Sequence, residues 1–287
     1  MLFRSIAGYT YSFGAGETDV YVVKLDAHGN LQWTKTIGGP EIDLGHSLIQ
    51  TADSGYAIVG KTNSFGAGDY DVYVVKLDAK GNLQWTNTIG GKNEDLAHSL
   101  IQTADGGYVI AGYTVFLGAE PPFNVYFVKL DAKGNLQWTK TLGGKNWDVG
   151  RSLIQTSDGG YAIAGETNSF GAGDYDVYVV KLDAKGNLQW TKTIGGPDYE
   201  SGTSLIQTSD GGYAIAGKTI SFGAGETDVY VVKLDKNGNA CCSVSQTSQV
   251  GSGGTLSSPA PSIGSGGKLT SPTSRTSSGG TLTNQCP

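Results

Sequence analysis

The 287-residue chain has a formal charge of -6 and a pI near 5.0. It therefore has no basic stripe to hold a phosphate backbone, and nucleic acid is not expected as a partner. With 38% apolar and 16% charged residues it can bury a core and lacks the composition of a disordered polymer. No apolar run approaches the roughly 18 residues of a membrane span.

The opening "MLFRSIAGYT" lacks the apolar core of a signal peptide. "FRSIAGYT" aligns with "GYAIAGKT" further on, so the chain enters its pattern halfway through a unit. A fragment, or a misplaced start, is the expectation. The pattern itself shows in "LDAKGNLQW", which recurs with small changes from Leu25, Leu77, Leu130, Leu182 and Leu234, at steps of 52, 53, 52 and 52 residues. A period near 50 marks a tandem-repeat architecture.

Residues 40–91 form one complete unit of four strand-like runs. Strand a is "HSLIQT", b is "GYAIVGKT", c is "DVYVVKL" and d is "LQWTNTI". Short turns with Asp and Gly join a to b and c to d, as hairpins require. In strand c, Val72 and Val74 alternate with Tyr73, Val75 and Leu77, so both faces are apolar and both must be covered. A twofold-apolar, four-stranded antiparallel sheet repeated in tandem is what a β-propeller blade requires. A β-solenoid, the competing architecture, would not need these hairpins.

The order of landmarks, "D-x-G-x-S-L-I-Q-T-x-D-G-G-Y-x-I-A-G-x-T-x-S-F" and then "D-V-Y-V-V-K-L-D-x-x-G-N-L-Q-W-T-K-T-I-G-G", resembles the SBBP-type β-propeller repeat of secreted and surface proteins of bacteria and archaea. It spans residues 4 to about 239. The resemblance implies blades whose first strand lines a central channel; it implies no single activity and no catalytic residues.

The predicted fold is thus all-β, a β-propeller of four-stranded antiparallel blades over residues 1–248, with five blades or as part of a larger ring. The first unit has only strands b, c and d, and the last only a, b and c. "SVSQTS" (243–248) matches "SLIQTS" (204–209), so it is a candidate for the missing inner strand of the first blade. Residues 249–287 form a Ser/Gly/Thr/Pro-rich tail with 13-residue repeats, read as a linker or stalk. Cys241, Cys242 and Cys286 bracket that tail and are disulfide candidates, which favours an extracellular or cell-surface setting.

Several columns of the repeat invite chemistry. Asp43, Asp95, Asp148 and Glu200 stand just before strand a, where a ring of carboxylates could hold Ca²⁺ or where each could simply cap a turn. His46 and His98 follow, but Arg151 and Thr203 replace them in the next units, which breaks a metal ring of imidazoles. "GAGETD" and "GAGDYD" resemble phosphate loops, yet a strand follows each where a helix would be needed. Trp33, Trp85, Trp138 and Trp190 read as packing between blades, with sugar stacking as the alternative. Lys24, Lys76, Lys129, Lys181 and Lys233 within strand c call for partners among the repeated Asp residues.

No catalytic triad or zinc spacing appears, and near-copied blades offer little for an asymmetric catalytic constellation. The expectation is a non-enzymatic binding or scaffold module with a protein or carbohydrate ligand. A multivalent lectin is the alternative, since near-identical blades resemble the tachylectin family, whose motif is not matched; a glycan-active enzyme ranks last. Binding is expected where the copies differ, in the loops that carry Trp147, Tyr199, Phe116 and Phe123 and beside His46, His98 and Arg151.

Overall fold

The computed structural model describes residues 4–115, 123–223 and 226–240, together with tail stretches 249–251, 256–257 and 275–277. Its elements are strands alone among the described residues. The first sheet contains β1 (Arg4–Thr10), β2 (Asp19–Leu25) and β3 (Leu31–Gly38). The second has β4 (Asp43–Gln50), β5 (Tyr56–Thr62), β6 (Asp71–Leu77) and β7 (Leu83–Ile89). The third has β8 (Asp95–Gln102), β9 (Tyr108–Val115), β10 (Phe123–Leu130) and β11 (Leu136–Leu142). The fourth has β12 (Asp148–Gln155), β13 (Tyr161–Thr167), β14 (Asp176–Leu182) and β15 (Leu188–Gly195). The fifth has β16 (Glu200–Gln207), β17 (Tyr213–Thr219) and β18 (Asp228–Leu234). Every sheet is an antiparallel meander in chain order.

The hairpins follow from local chemistry. At the turn between strands c and d, Asp78 Oδ1 accepts the N–H groups of Lys80 and Asn82, both at 2.8 Å, while Gly81 takes φ +78°. At the a–b turn the carboxylate reaches sideways instead. Asp53, Asp105, Asp158 and Asp210 accept from Lys76, Lys129, Lys181 and Lys233 at 2.8–2.9 Å. Four of the five lysines of the strand-c column thus find an Asp partner, while Lys24 holds its ammonium over the Tyr56 ring, 5.4 Å from its centroid.

Strand a begins three residues earlier than its sequence suggests. It starts at Asp43, whose N–H donates to the Thr18 carbonyl of the preceding sheet at 2.7 Å; Asp95 and Glu200 bond Tyr70 and Tyr175 in the same way. The early start is accommodated by a bulge in each complete inner strand, between Gly45 and Ser47, Ala97 and Ser99, Gly150 and Ser152, and Gly202 and Ser204. The bulged backbone lies close over a glycine of the adjacent strand. A Cβ on Gly60, Gly112, Gly165 or Gly217 would come within 1.8 Å of a carbonyl oxygen.

Four apolar clusters join successive sheets. Between the second and third, Ala57, Val59, Val72 and Val74 of one face meet Leu100, Tyr108, Ile110 and Val128 of the next. The corresponding residues build the other three. The tryptophans cross these junctions, with Trp33, Trp85 and Trp190 edge-on to Tyr56, Tyr108 and Tyr213 at 5.6–5.9 Å. Inner strands are tied as well: Ser99 Oγ accepts the Leu153 N–H and Ser152 Oγ the Leu205 N–H, both at 3.1 Å.

Tail strands β19 (Gln249–Gly251), β20 (Leu256–Ser257) and β21 (Arg275–Ser277) add to the outer edges of β15, β11 and β3. The proposed closing strand, 243–248, and all three cysteines lie outside the described residues.

Candidate functional site

The bulges set up the site. An extra residue in one strand has no partner opposite it, so its side chain is re-aimed while the ladder continues. In this chain the bulge residues are His46, His98, Arg151 and Thr203, the column in which the copies differ most along strand a. Because inner strands are neighbours, these side chains meet. His46 donates from Nδ1 to the Ala97 carbonyl at 3.0 Å and stacks on His98 at 5.7 Å. His98 Nε2 accepts from Arg151 Nη1 at 3.2 Å.

A second variable column flanks the first. At the penultimate position of β5 and β13, and at the corresponding positions of β9 and β17, stand Lys61, Glu166, Tyr113 and Lys218. A third column, directly before strand a, carries Glu94, Trp147 and Tyr199. The columns interlock across sheets. Lys61 and the Tyr113 hydroxyl each donate to Glu94 Oε1 at 2.9 Å. Arg151 Nη2 donates to Glu166 Oε1 at 2.5 Å, and the Tyr199 hydroxyl to Glu166 Oε2 at 2.7 Å.

Between the third and fourth sheets His98, Tyr113, Trp147, Arg151, Glu166 and Tyr199 of these columns line a cleft of about 400 Å³. Phe123, Tyr113 and Trp147 form one aromatic wall, with ring centroids 4.7 Å apart for Tyr113–Phe123 and 4.3 Å for Phe123–Trp147. Tyr175 and Tyr199, 5.1 Å apart, form another. Leu96 and Val149 complete the apolar lining, and the Arg151–Glu166 pair with His98 supplies the polar groups. Trp147 is 49% exposed, so its indole is available to a ligand.

The charges in the cleft are already arranged. Burial, reinforced by the Arg151 guanidinium, depresses His98 to about 3 and keeps the imidazole neutral, as its acceptor role toward Arg151 requires. Burial and donation to Glu166 push the Tyr199 phenol up to about 12. A mostly apolar cleft with a few oriented polar groups is the usual form of a ligand site.

The structure brings together five of the residues expected to bind: Trp147, Tyr199, Phe123, His98 and Arg151. His46 sits one step along the bulge column, stacked on His98 but outside the lining. Phe123 is not a loop residue; it opens β10 and pairs with Val115. Phe116 lies outside the described residues. Sequence reading missed Glu166, Tyr113, Tyr175, Leu96 and Val149. The signal for the first two was present, since Glu166 and Tyr113 stand where neighbouring copies have lysine.

Of the two readings of the carboxylate column, the hydrogen bonds fit the one in which each carboxylate caps a turn. Asp43, Asp148 and Glu200 accept from the N–H groups of Gly39, Gly144 and Gly196 at 2.6–2.7 Å, each reaching back to the glycine that ends the preceding unit. Asp95 does the same with Gly91 at 2.7 Å. Among the described residues no group of three or more His, Cys, Asp or Glu side chains is arranged to hold a metal. The carboxylates lock the entry to strand a. Burial, with a further contribution from neighbouring Asp71, raises Asp95 to about 7. The glycine-rich loops play a similar part: Ala67 and Gly68 donate at 2.9 and 3.2 Å to Asp71, so the cradle that resembled a phosphate loop holds the chain's own carboxylate.

Tandem four-stranded antiparallel sheets, packed face to face with their inner strands adjacent, define a β-propeller-like protein. The chain belongs to the PQQ_2 family, described as outer membrane protein assembly factor BamB, whose pattern matches residues 18–263. It is also 29% identical over 174 residues, 56% of its length, to the regulatory protein FlaEY of Caulobacter vibrioides, and spans 16% of that protein. No helix among the described residues is long and apolar enough to cross a membrane.

Proposed function

We propose that the chain is a non-enzymatic β-propeller module of the SBBP type, extracellular or on the cell surface, that binds a segment of another protein in the cleft between its third and fourth sheets. The observation that carries this reading is the convergence of Phe123, Trp147, Tyr113, Tyr175 and Tyr199 around the Arg151–Glu166 pair at that junction. Aromatic rings beside an arginine are the typical composition of a protein-binding hot spot. Among the described residues that line it the cleft holds a single carboxylate, Glu166, and Arg151 and Tyr199 both engage it. That supports binding over acid–base chemistry. The family's description as an assembly factor and the relative's as a regulatory protein agree with a role in contact between proteins.

The exposed indole of Trp147 favours a second reading, a lectin, because a sugar ring stacks well on such a face. One asymmetric cleft suits a single site better than equal sites at every blade junction. Peptide and glycan arrays probed with the wild type, Trp147→Ala and Arg151→Ala separate these readings. Peptide signals lost by at least tenfold in both variants are expected. Glycan signals alone would transfer the site to the lectin, and signals unchanged in both variants would remove the cleft from the account.

A further inference from the structure

The polar groups of the cleft are unevenly divided between acceptors and donors. Both oxygens of Glu166 are engaged, Oε1 by Arg151 and Oε2 by the Tyr199 hydroxyl, and the side chain is only 7% exposed. His98 Nε2 accepts from Arg151. The acceptors are therefore taken. The donors are open: the Arg151 side chain is 35% exposed, and a guanidinium has N–H groups beyond those given to His98 and Glu166. Trp147 adds an indole N–H and Tyr175 a hydroxyl, and among the described residues neither side chain has a hydrogen-bond partner.

That inventory selects among ligands. A cationic side chain brings only donors and would meet the positive charge of Arg151 and of Lys218, whose ammonium stands 4.7 Å from the Tyr199 ring centroid. An anion would lie beside Glu166, and the arginine that could balance it is already matched. A sugar hydroxyl accepts but also has a proton to place. What fits is a neutral segment that accepts hydrogen bonds and donates few. An ordinary peptide brings an N–H with every carbonyl, and burying one without a partner is costly. Proline has no N–H. A run of prolines holds the polyproline II helix, which makes no internal hydrogen bonds and so presents its carbonyls outward. Its stiffness also lowers the ordering cost of binding, which is how such helices dock in aromatic-lined grooves.

We infer that the partner segment is proline-rich and enters the cleft as a polyproline II helix. Its pyrrolidine rings pack on Phe123, Trp147 and Tyr175, and its carbonyls accept from the Trp147 indole, the Arg151 guanidinium and the Tyr175 hydroxyl. The inference rests on the reading of the cleft as the site for a segment of another protein.

The test is calorimetric titration of the full chain with capped octaproline, with the same peptide carrying alanine at alternate positions, and with capped octalysine and octaglutamate. Octaproline is expected to bind at least tenfold more tightly than the other three. Trp147→Phe and Tyr175→Phe keep a ring and remove only the donor, and each is expected to weaken octaproline binding at least threefold; Trp147→Ala should weaken it at least tenfold. Far-UV circular dichroism checks that the variants remain folded. An octaproline affinity no higher than that of any other peptide overturns the inference, as does one that both phenylalanine variants leave unchanged. The two readings fail separately. If octaproline does not bind while peptides on the array still require Trp147 and Arg151, the proline assignment falls and the protein-binding cleft stands; if no peptide requires those residues, both fall.

Discussion

At the scale of single residues, the repeats separate groups that hold the fold from groups that line the cleft. Lys181 is buried, and its ammonium depends on the half-exposed carboxylate of Asp158 at 2.9 Å. Asp158→Asn leaves that charge without its counterion and is expected to cost about 1–2 kcal/mol in urea unfolding, allowing for solvent screening of the exposed partner. Lys181→Met, which removes the charge and keeps most of the stem, is expected to cost less. Asp95 gives a pH dependence. Its folded value of about 7 exceeds the ordinary 3.8, so the native state binds more protons between those limits and stability falls as pH rises from about 4 to about 7. In thermal melts across that range Asp95→Asn is expected to flatten the decline; an equally steep curve in the variant would assign the slope to another group. Pairing of the lysines with repeated Asp residues was legible in the sequence, because a cation amid "DVYVVKL" must find an anion. That Glu166 would belong to Arg151 was not, since the two are 15 residues apart and meet only through a bulge.

At the scale of elements, alternation in strand c foretold which of its residues pack on which neighbour, and the interdigitated clusters follow it. The start of strand a was hidden, because period-two alternation breaks at His46 and at its equivalents. A bulge looks like the end of a strand when only the pattern is visible. The junctions also make a comparison of equal chemistry at unequal burial. Ile163→Ala, at 2% exposure between the third and fourth sheets, is expected to destabilise the protein by about 2–5 kcal/mol. Ile6→Ala, at 57% exposure, should stay within about 0.5 kcal/mol. Denaturation midpoints of the two variants measured side by side check this.

At the scale of the whole molecule, near-identical units generate one distinctive place. The framework residues recur from copy to copy, while the bulge position reads His, His, Arg and Thr along successive inner strands. Among the described residues, only at the third junction do the variable columns bring an arginine, a glutamate and facing aromatic rings together. The bulge has a consequence for how such a site changes over time. A residue without a partner in the ladder can be exchanged with little penalty to the pairing on either side, so selection can edit the lining of the cleft while the scaffold stays constant. The inner strands therefore act as a keyboard of independently tunable positions, and new specificities are within reach of single codon changes that ordinary strand positions would not tolerate.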